Sequence, residues 1–537
     1  MNAPNQYLAS FPEGYSHELN IPKLSLAQMF EKTVEQFGSR PAVSFYGSKS
    51  TYQDIWQAVQ AFSCALQAAG IKKGDRVGIM LPNCPQYVIA YFGILRAGAI
   101  VTQINPMLME RELAFILEDS GTKMIVIFDA LYPKLQAIRQ NTSIELAVTV
   151  SLKDPFQPEA PDSTFMQFLT KSTLFTPVSI NPEEDTAILQ YTGGTTGRSK
   201  GAMLTHKNIL ANVVQSYKFF KNEIKKGQEK CLTVIPLFHV FGMTSCMNLS
   251  IYAGFEMVML PQFQIDEVLQ TIKQEQPTIF PGVPTMYVAI TNHPQAESFG
   301  IDCIRLCNSG SAPMPVELLR EFERKTGAKI LEGYGLSEAS PVTHCNPPFA
   351  ERKPGTVGLS IPGTACRVVD IATGTKDVKP GELGEVIIKG PQVMKGYWNQ
   401  PEETAVTLRG GWLYTGDIAV LDEEGYLSII DRKKDLIIAS GYNIYPREIE
   451  EVFYEHPAVQ EAVVIGIPDG YRGETVKAIL VLKAGQSATE EEMIEFSKAH
   501  LAAYKVPKQV EFRTELPKTN VGKILRRALR EEAINTP

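Results

Sequence analysis

From residue 26 to residue 350 the sequence alternates between helical and strand patterns, and few folds accept that rhythm. The stretch "SLAQMFEKTVEQF" places apolar residues at helical spacing. "RVGIML" is a short strand broken by "PNCP", and "QYVIAYFGILRAG" then runs as a helix to a glycine. "KMIVIFD", "TAILQYT", "CLTVIP", "FEMVML" and "CIRLCNSG" are further apolar runs of strand length. Strands alternating with helices predict parallel sheets covered on both faces. At 537 residues the chain is too long for one core, and about three to four structural units are expected.

Near residue 355 the texture changes. "TVGLS", "ACRVVD", "GEVIIKG" and "YLSII" are short strands separated by turn signals, which predicts a small β-barrel or sandwich over about 355–430. After "DRKKD" (431–435) the order becomes helix, strand, strand, helix, strand, a compact α+β unit over 436–537. Thr489 and Glu492 are spaced as a capping box for its second helix. The run Asp431–Asp435 thus divides a domain of 1–430 from a smaller one. It reads either as a solvated turn or as a hinge, and spacing alone does not choose. No fixed-period repeat stands out.

The stretch most suggestive of chemistry is "YTGGTTGRSKGAMLTH" at 191–206. Its glycines let a ligand approach the backbone closely. Thr192, Thr195, Thr196 and Ser199 add hydroxyls, and Arg198 and Lys200 add positive charge. Together these describe a phosphate cradle. A flexible surface loop has a similar composition. The stretch does not match the P-loop pattern.

Composition narrows the classes. A net charge of −7 argues against nucleic acid as the main partner, since backbone binding needs a basic face. The eight cysteines are scattered without CxxC pairs or zinc-like clusters, as for reduced thiols in the cytosol. The N-terminus lacks the basic and apolar regions of a signal peptide, so a cytoplasmic protein is expected. Val234–Pro261 is long enough to span a bilayer, but Pro236, His239, Gly242 and Asn248 interrupt it. A buried helix lining an apolar pocket is the expectation there.

"YTGGTTGRSKGAMLTH", "LEGYGLSEASPVTH" (331–344), "GWLYTGDIA" (411–419), "DRKKDLIIASGYNIYPREIEE" (431–451) and "LPKTNVGKILRR" (516–527) occur in that order. In wording and order they resemble the AMP-forming adenylate-forming enzymes: acyl- and aryl-CoA ligases, luciferases and peptide-synthetase adenylation domains. The second and fourth are most similar to bacterial long-chain fatty acid–CoA ligases. The likeness runs from roughly residue 25 to residue 530. It implies an α/β fold: two doubly wound α/β subdomains plus a small β-barrel, then a small mobile α+β C-terminal domain. It also implies a two-step reaction. A fatty carboxylate attacks the α-phosphorus of MgATP to give acyl-AMP, and coenzyme A then displaces AMP.

The resemblance implies a role for each matching residue. Thr192, Gly193, Gly194, Thr195, Thr196, Gly197 and Lys200 would hold the triphosphate. Tyr334 would pack on adenine with Glu332 and Gly333 at its edge, and Gly310 and Ser311 would wall adenine from the acyl chain. Glu338, with Thr192, would hold Mg²⁺. Ser337 stands where threonine is more usual, and keeps the hydroxyl. Asp417 would accept the ribose hydroxyls, with Arg432 beside it. Val240, Phe241, Gly242 and Met243 would line the acyl channel. His239 reads either as a phosphate contact or as a satisfied core histidine.

Lys523 would be the adenylation lysine, Lys434 the hinge, and Ser440, Gly441 and Tyr442 the border of the pantetheine tunnel. Some relatives carry lysine in place of Ser440, so luciferase-type oxidation is disfavoured. The other readings are an aryl- or medium-chain ligase and a non-catalytic acyl-AMP binder. A peptide-synthetase module is disfavoured because no carrier domain follows. Peripheral contact with the inner face of the membrane, for substrate uptake, is compatible with all of this. Oligomeric state is not legible.

Overall fold

Short apolar runs bounded by turn residues become strands buried on both faces. In Thr122–Phe128, Met124 to Ile127 are all buried, because the strand lies between Arg76–Met80 and Leu146–Val150 with both pairings parallel. The computed structural model describes residues 18–153, 156–192, 199–312, 314, 316–439, 442–469, 471–519 and 524–535.

Two large sheets share one plan. In the eight-stranded sheet the order is Gly396–Tyr397, Lys200–Thr205, Thr186–Thr192, Ile100–Gln103, Arg76–Met80, Thr122–Phe128, Leu146–Val150 and Ser163–Thr164. The last six strands are parallel and the first two antiparallel. In the nine-stranded sheet a parallel interior runs from Lys329–Gly335 through Leu306–Ser309, Ile279–Gly282, Lys230–Thr233 and Glu256–Met259 to Pro41–Phe45. Helices from both sheets meet in one core. Phe30 of helix Leu26–Phe37 lies 4.8 Å from Phe92 of helix Pro85–Arg96 and 5.2 Å from Trp56, ring to ring.

A five-stranded antiparallel sheet follows, built on Ala365–Val369, Leu383–Lys389 and Trp412–Leu421, with Leu427–Arg432 as its last strand in the sequence. In the small domain Tyr442–Ile444, Ile437–Ala439, Gly473–Leu482, Val459–Asp469 and Gln509–Arg513 form a mixed sheet. Helices Pro446–Tyr454, Glu490–His500 and Arg526–Asn535 accompany it.

Two expectations need correction. Lys200–Thr205 is a strand between Thr186–Thr192 and Gly396–Tyr397, although the sequence of 191–206 reads as a ligand-binding or surface loop. Val234–Pro261 is not one helix. A π-helical turn, Gly242–Asn248, runs into the short helix Leu249–Ala253, Gly254 at φ 72° ends it, and Glu256–Met259 is a strand. Among the described residues no helix is long and apolar enough to cross a membrane. All eight cysteines are free thiols, six of them buried.

The expected capping box is present: Thr489 Oγ1 accepts from Glu492 N at 3.2 Å and Glu492 Oε2 accepts from Thr489 N at 2.8 Å. Thr489→Ala is expected to destabilise the small domain by about 1 kcal/mol, read as a lower urea midpoint with nucleotide affinity unchanged.

Candidate active site

Ligands of open α/β sheets bind beyond the carboxyl ends of the parallel strands. The expected site residues gather at three such ends. Thr192 closes Thr186–Thr192, Gly310 and Ser311 follow Leu306–Ser309, and Tyr334 and Glu338 lie at and just beyond the end of Lys329–Gly335. Thr192 pairs with Lys200 in the antiparallel ladder between Thr186–Thr192 and Lys200–Thr205. Gly193, Gly194, Thr195, Thr196, Gly197 and Arg198 lie outside the described residues. Lys200 is nearly buried, ion-paired to Glu403 and held 5.3 Å from the centre of the Tyr397 ring.

One carboxylate organises the cluster around Tyr334. Asp417 Oδ2 accepts from the Tyr334 hydroxyl, and Arg432 Nε lies 3.3 Å from Asp417 Oδ1. Asp417 and Arg432 are partners across neighbouring strands. Burial and the Asp417 charge push the Tyr334 phenol well above its usual range, so the hydroxyl remains a donor. Gly333 is tight: a Cβ there would sit 3.2 Å from the His344 carbonyl. Glu332 is buried; Oε1 accepts from Met314 N at 3.3 Å, whereas Oε2 has no hydrogen-bond partner. Burial raises its carboxyl to about 7, against the lowering effect of the Met314 N–H and the Arg447 guanidinium.

Glu338 sits in the short 3₁₀ turn Ser337–Ala339, which also carries Ser337. Its Oε1 accepts from the Tyr397 hydroxyl at 2.7 Å, and its carbonyl accepts from Met394 N at 2.8 Å. A single aimed carboxylate suits a magnesium ion whose remaining ligands are phosphate and water oxygens.

The residues expected to wall adenine from the acyl chain lie against those expected to line the channel. A Cβ on Gly310 would lie 3.5 Å from the Phe241 ring, so the expected wall and the expected channel touch there. Ser311 holds φ 69°, a left-handed strain found mostly where a loop is shaped for a ligand. Val240, Phe241 and Met243 are buried. His239 is half-buried, and its Nδ1 accepts from Phe241 N at 3.3 Å, which leaves Nε2 to carry the ring proton. Gly242 differs from expectation. A Cβ on it would sit 2.3 Å from the Pro236 carbonyl, so its side-chain direction is filled by backbone and does not line a channel.

Lys434 is exposed in the turn between Leu427–Arg432 and Ile437–Ala439. Lys523, Ser440, Gly441 and the Tyr442 side chain lie outside the described residues.

With this geometry in place, comparison with known proteins decides the family. The AMP-binding enzyme family matches residues 30–398, and the AMP-binding enzyme C-terminal domain matches residues 448–523. The chain belongs to the AMP-binding enzymes. A long-chain-fatty-acid–CoA ligase of Bacillus subtilis (strain 168) is 48% identical, covering 99% of each chain. Among solved structures, ATP-bound MatB from Rhodopseudomonas palustris is 31% identical, with a TM-score of 0.87 over 95% of this chain and 99% of that one. Apo MatB from the same organism is 30% identical, with a TM-score of 0.76 over 95% of this chain and 99% of that one.

Sequence reasoning missed Tyr397 and Glu403. Both lie in "GYWNQPEET", a stretch that carries turn residues and no chemical signature. It also missed Arg526, one cation in a basic run; only the fold reveals that it meets three carboxylates.

Two outcomes are expected. Gly242→Ala should destabilise the large domain by about 1–3 kcal/mol through the clash with Pro236, seen in thermal melting. Glu332 has a folded pKa above its unfolded value of 4.5, so its stabilising contribution is complete below that value and lost as pH rises through about 7. Glu332→Gln keeps the acceptor for Met314 N and removes this loss. In the absence of nucleotide its melting temperature, relative to the parent, should therefore rise between pH 5 and pH 8, reflecting up to about 3 kcal/mol.

Proposed function

We propose that this chain is an ATP-dependent long-chain fatty acid–CoA ligase. Fatty acid, ATP and coenzyme A are its substrates, and acyl-CoA, AMP and pyrophosphate its products. The observation that carries the site assignment is Asp417 binding Tyr334 and Arg432 beside Glu338, at the carboxyl end of a parallel sheet.

A carboxylate is a poor acyl donor because its oxygen leaves badly, and AMP leaves far better. In the first step a carboxylate oxygen bonds to the α-phosphorus and the bond to pyrophosphate breaks. Negative charge on the phosphate oxygens then needs fixed cations and N–H groups. We assign that task to residues 192–200 and Lys523. His239 is assigned to the phosphate side of the acyl wall. Glu338, oriented by Tyr397, is assigned to Mg²⁺, which supplies charge neutralisation on the phosphates when bound. Asp417 and Arg432 are assigned to the ribose, and Tyr334 to adenine.

In the second step the coenzyme A sulfur bonds to the acyl carbon and the bond to AMP breaks. Phosphate stabilisation and a pantetheine tunnel need different walls around one acyl group. We assign the exchange of walls to a turn of the small domain about Lys434, which withdraws Lys523 and brings in residues 440–442. No protein nucleophile is needed in either step.

The acyl wall supports a long chain. Met243 and Met247 are adaptable apolar side chains buried in the same core as Phe241. Each buried methylene contributes about 0.8 kcal/mol at most, so affinity should rise with acid length until the channel fills.

The direct test is AMP release with coenzyme A over saturated acids of graded length and over benzoate and cinnamate. The reading expects a preference for roughly twelve carbons or more. An aryl acid outperforming every fatty acid would refute the substrate class. Lys523→Ala is expected to abolish acyl-AMP formation while sparing thioester formation from supplied acyl-AMP. Equal loss in both half-reactions would remove Lys523 from its role.

A further inference from the structure

We infer that Asp431 is a socket for Arg526, and that this contact across the hinge holds the small domain in the arrangement that forms acyl-AMP. The inference rests on the two-position reading of the small domain above.

Asp431 belongs to the large domain. It lies in Leu427–Arg432, paired with Ile418 of Trp412–Leu421, three residues before Lys434. Its side chain is almost wholly buried, yet most of its partners come from beyond the hinge. Arg526 NH1 lies 3.4 Å from Asp431 Oδ1, and Arg447 N donates to Asp431 Oδ2 at 2.9 Å. The Arg447 guanidinium donates to the Ile429 carbonyl, a second contact over the same boundary. Within its own strand Asp431 accepts only from Arg432 N, at 2.7 Å.

Arg526 is also fastened inside the small domain. Its NH2 reaches both oxygens of Glu450, at 2.6 Å for Oε1, and its NH1 lies 3.8 Å from Asp435 Oδ2. Glu450 is held in turn by Val464 N at 2.7 Å. These contacts lie after residue 434 and survive a rotation about it. The Asp431 contacts straddle residue 434 and do not. One guanidinium therefore combines a permanent bond with a position-dependent one, which its planar fork of donors allows. Burial of Asp431 makes the second contact costly to lose, because the carboxylate would face the interface without its cation.

The overall likeness identifies the position. At the same coverage of this chain, it follows ATP-bound MatB more closely than apo MatB, 0.87 against 0.76. Arg526 stands three residues after Lys523, so the socket sets where the segment carrying that lysine sits. Arg526 and Asp431 are positioning residues and touch no substrate in this reading.

Asp431→Asn keeps the shape and an acceptor for Arg447 N while removing the charge. The test measures acyl-AMP formation from palmitate and MgATP, and separately thioester formation from supplied palmitoyl-AMP and coenzyme A. Asp431→Asn should slow the first about tenfold and leave the second unchanged. Arg526→Gln should do the same, and the double variant should be no slower than the slower single variant. Equal loss in both half-reactions, no loss in either, or fully additive losses would overturn the socket. Lys523→Ala in the same assay separates the two levels. If it fails to split the half-reactions, the two-position reading falls; if it splits them and Asp431→Asn does not, only the socket falls.

Discussion

The site depends on one buried carboxylate. Asp417 lies on the antiparallel sheet, binds Tyr334 from the nine-stranded sheet, and pairs with Arg432 of the neighbouring strand. Two sheets, joined here by residues 83 apart in sequence, are thereby held against each other. Leaving either oxygen unpaired in that setting would be costly, so the geometry is self-enforcing. A ligand that binds here meets groups already aimed, and no ordering cost falls on it.

The second constraint is the shared plan of the two parallel sheets. Parallel crossovers put every carboxyl strand end on one side of each sheet. Thr192, the strained Ser311 and the turn carrying Glu338 all lie at such ends. Tyr397 reaches Glu338 from an edge strand of the other sheet, so the two sheets meet at the site itself. The same turn is tied to the π-helical turn Gly242–Asn248, where Thr244 Oγ1 donates to the Ser340 carbonyl at 2.7 Å.

How much of this the sequence shows depends on the range of the forces involved. Strands such as Thr122–Phe128 and Thr186–Thr192 are legible because unbroken apolar runs between turn signals have few other homes. The Thr489 cap is legible because all its partners lie within four residues. Lys200–Thr205 is not, since Gly201 and Ala202 carry no strand propensity, and small residues are needed where the Tyr191 ring passes 3.1 Å from a Cβ on Gly201. The π-helical turn Gly242–Asn248 is equally hidden, and so is the close backbone approach of Pro236 to Gly242. Motif wording identified Tyr334, Glu338 and Asp417 as candidates, and only folding brings Tyr334 to Asp417. Tyr397, Glu403 and Arg526 have no local signature, and their partners lie 59, 203 and 95 residues away in sequence.

The central claim is that this site makes an acyl-AMP before coenzyme A takes part. The most direct measurement is exchange of labelled pyrophosphate into ATP, with palmitate present and coenzyme A omitted. The account predicts exchange that requires both the fatty acid and magnesium and proceeds without the thiol. Exchange without any acid, no exchange until coenzyme A is added, or release of ADP and phosphate would contradict it.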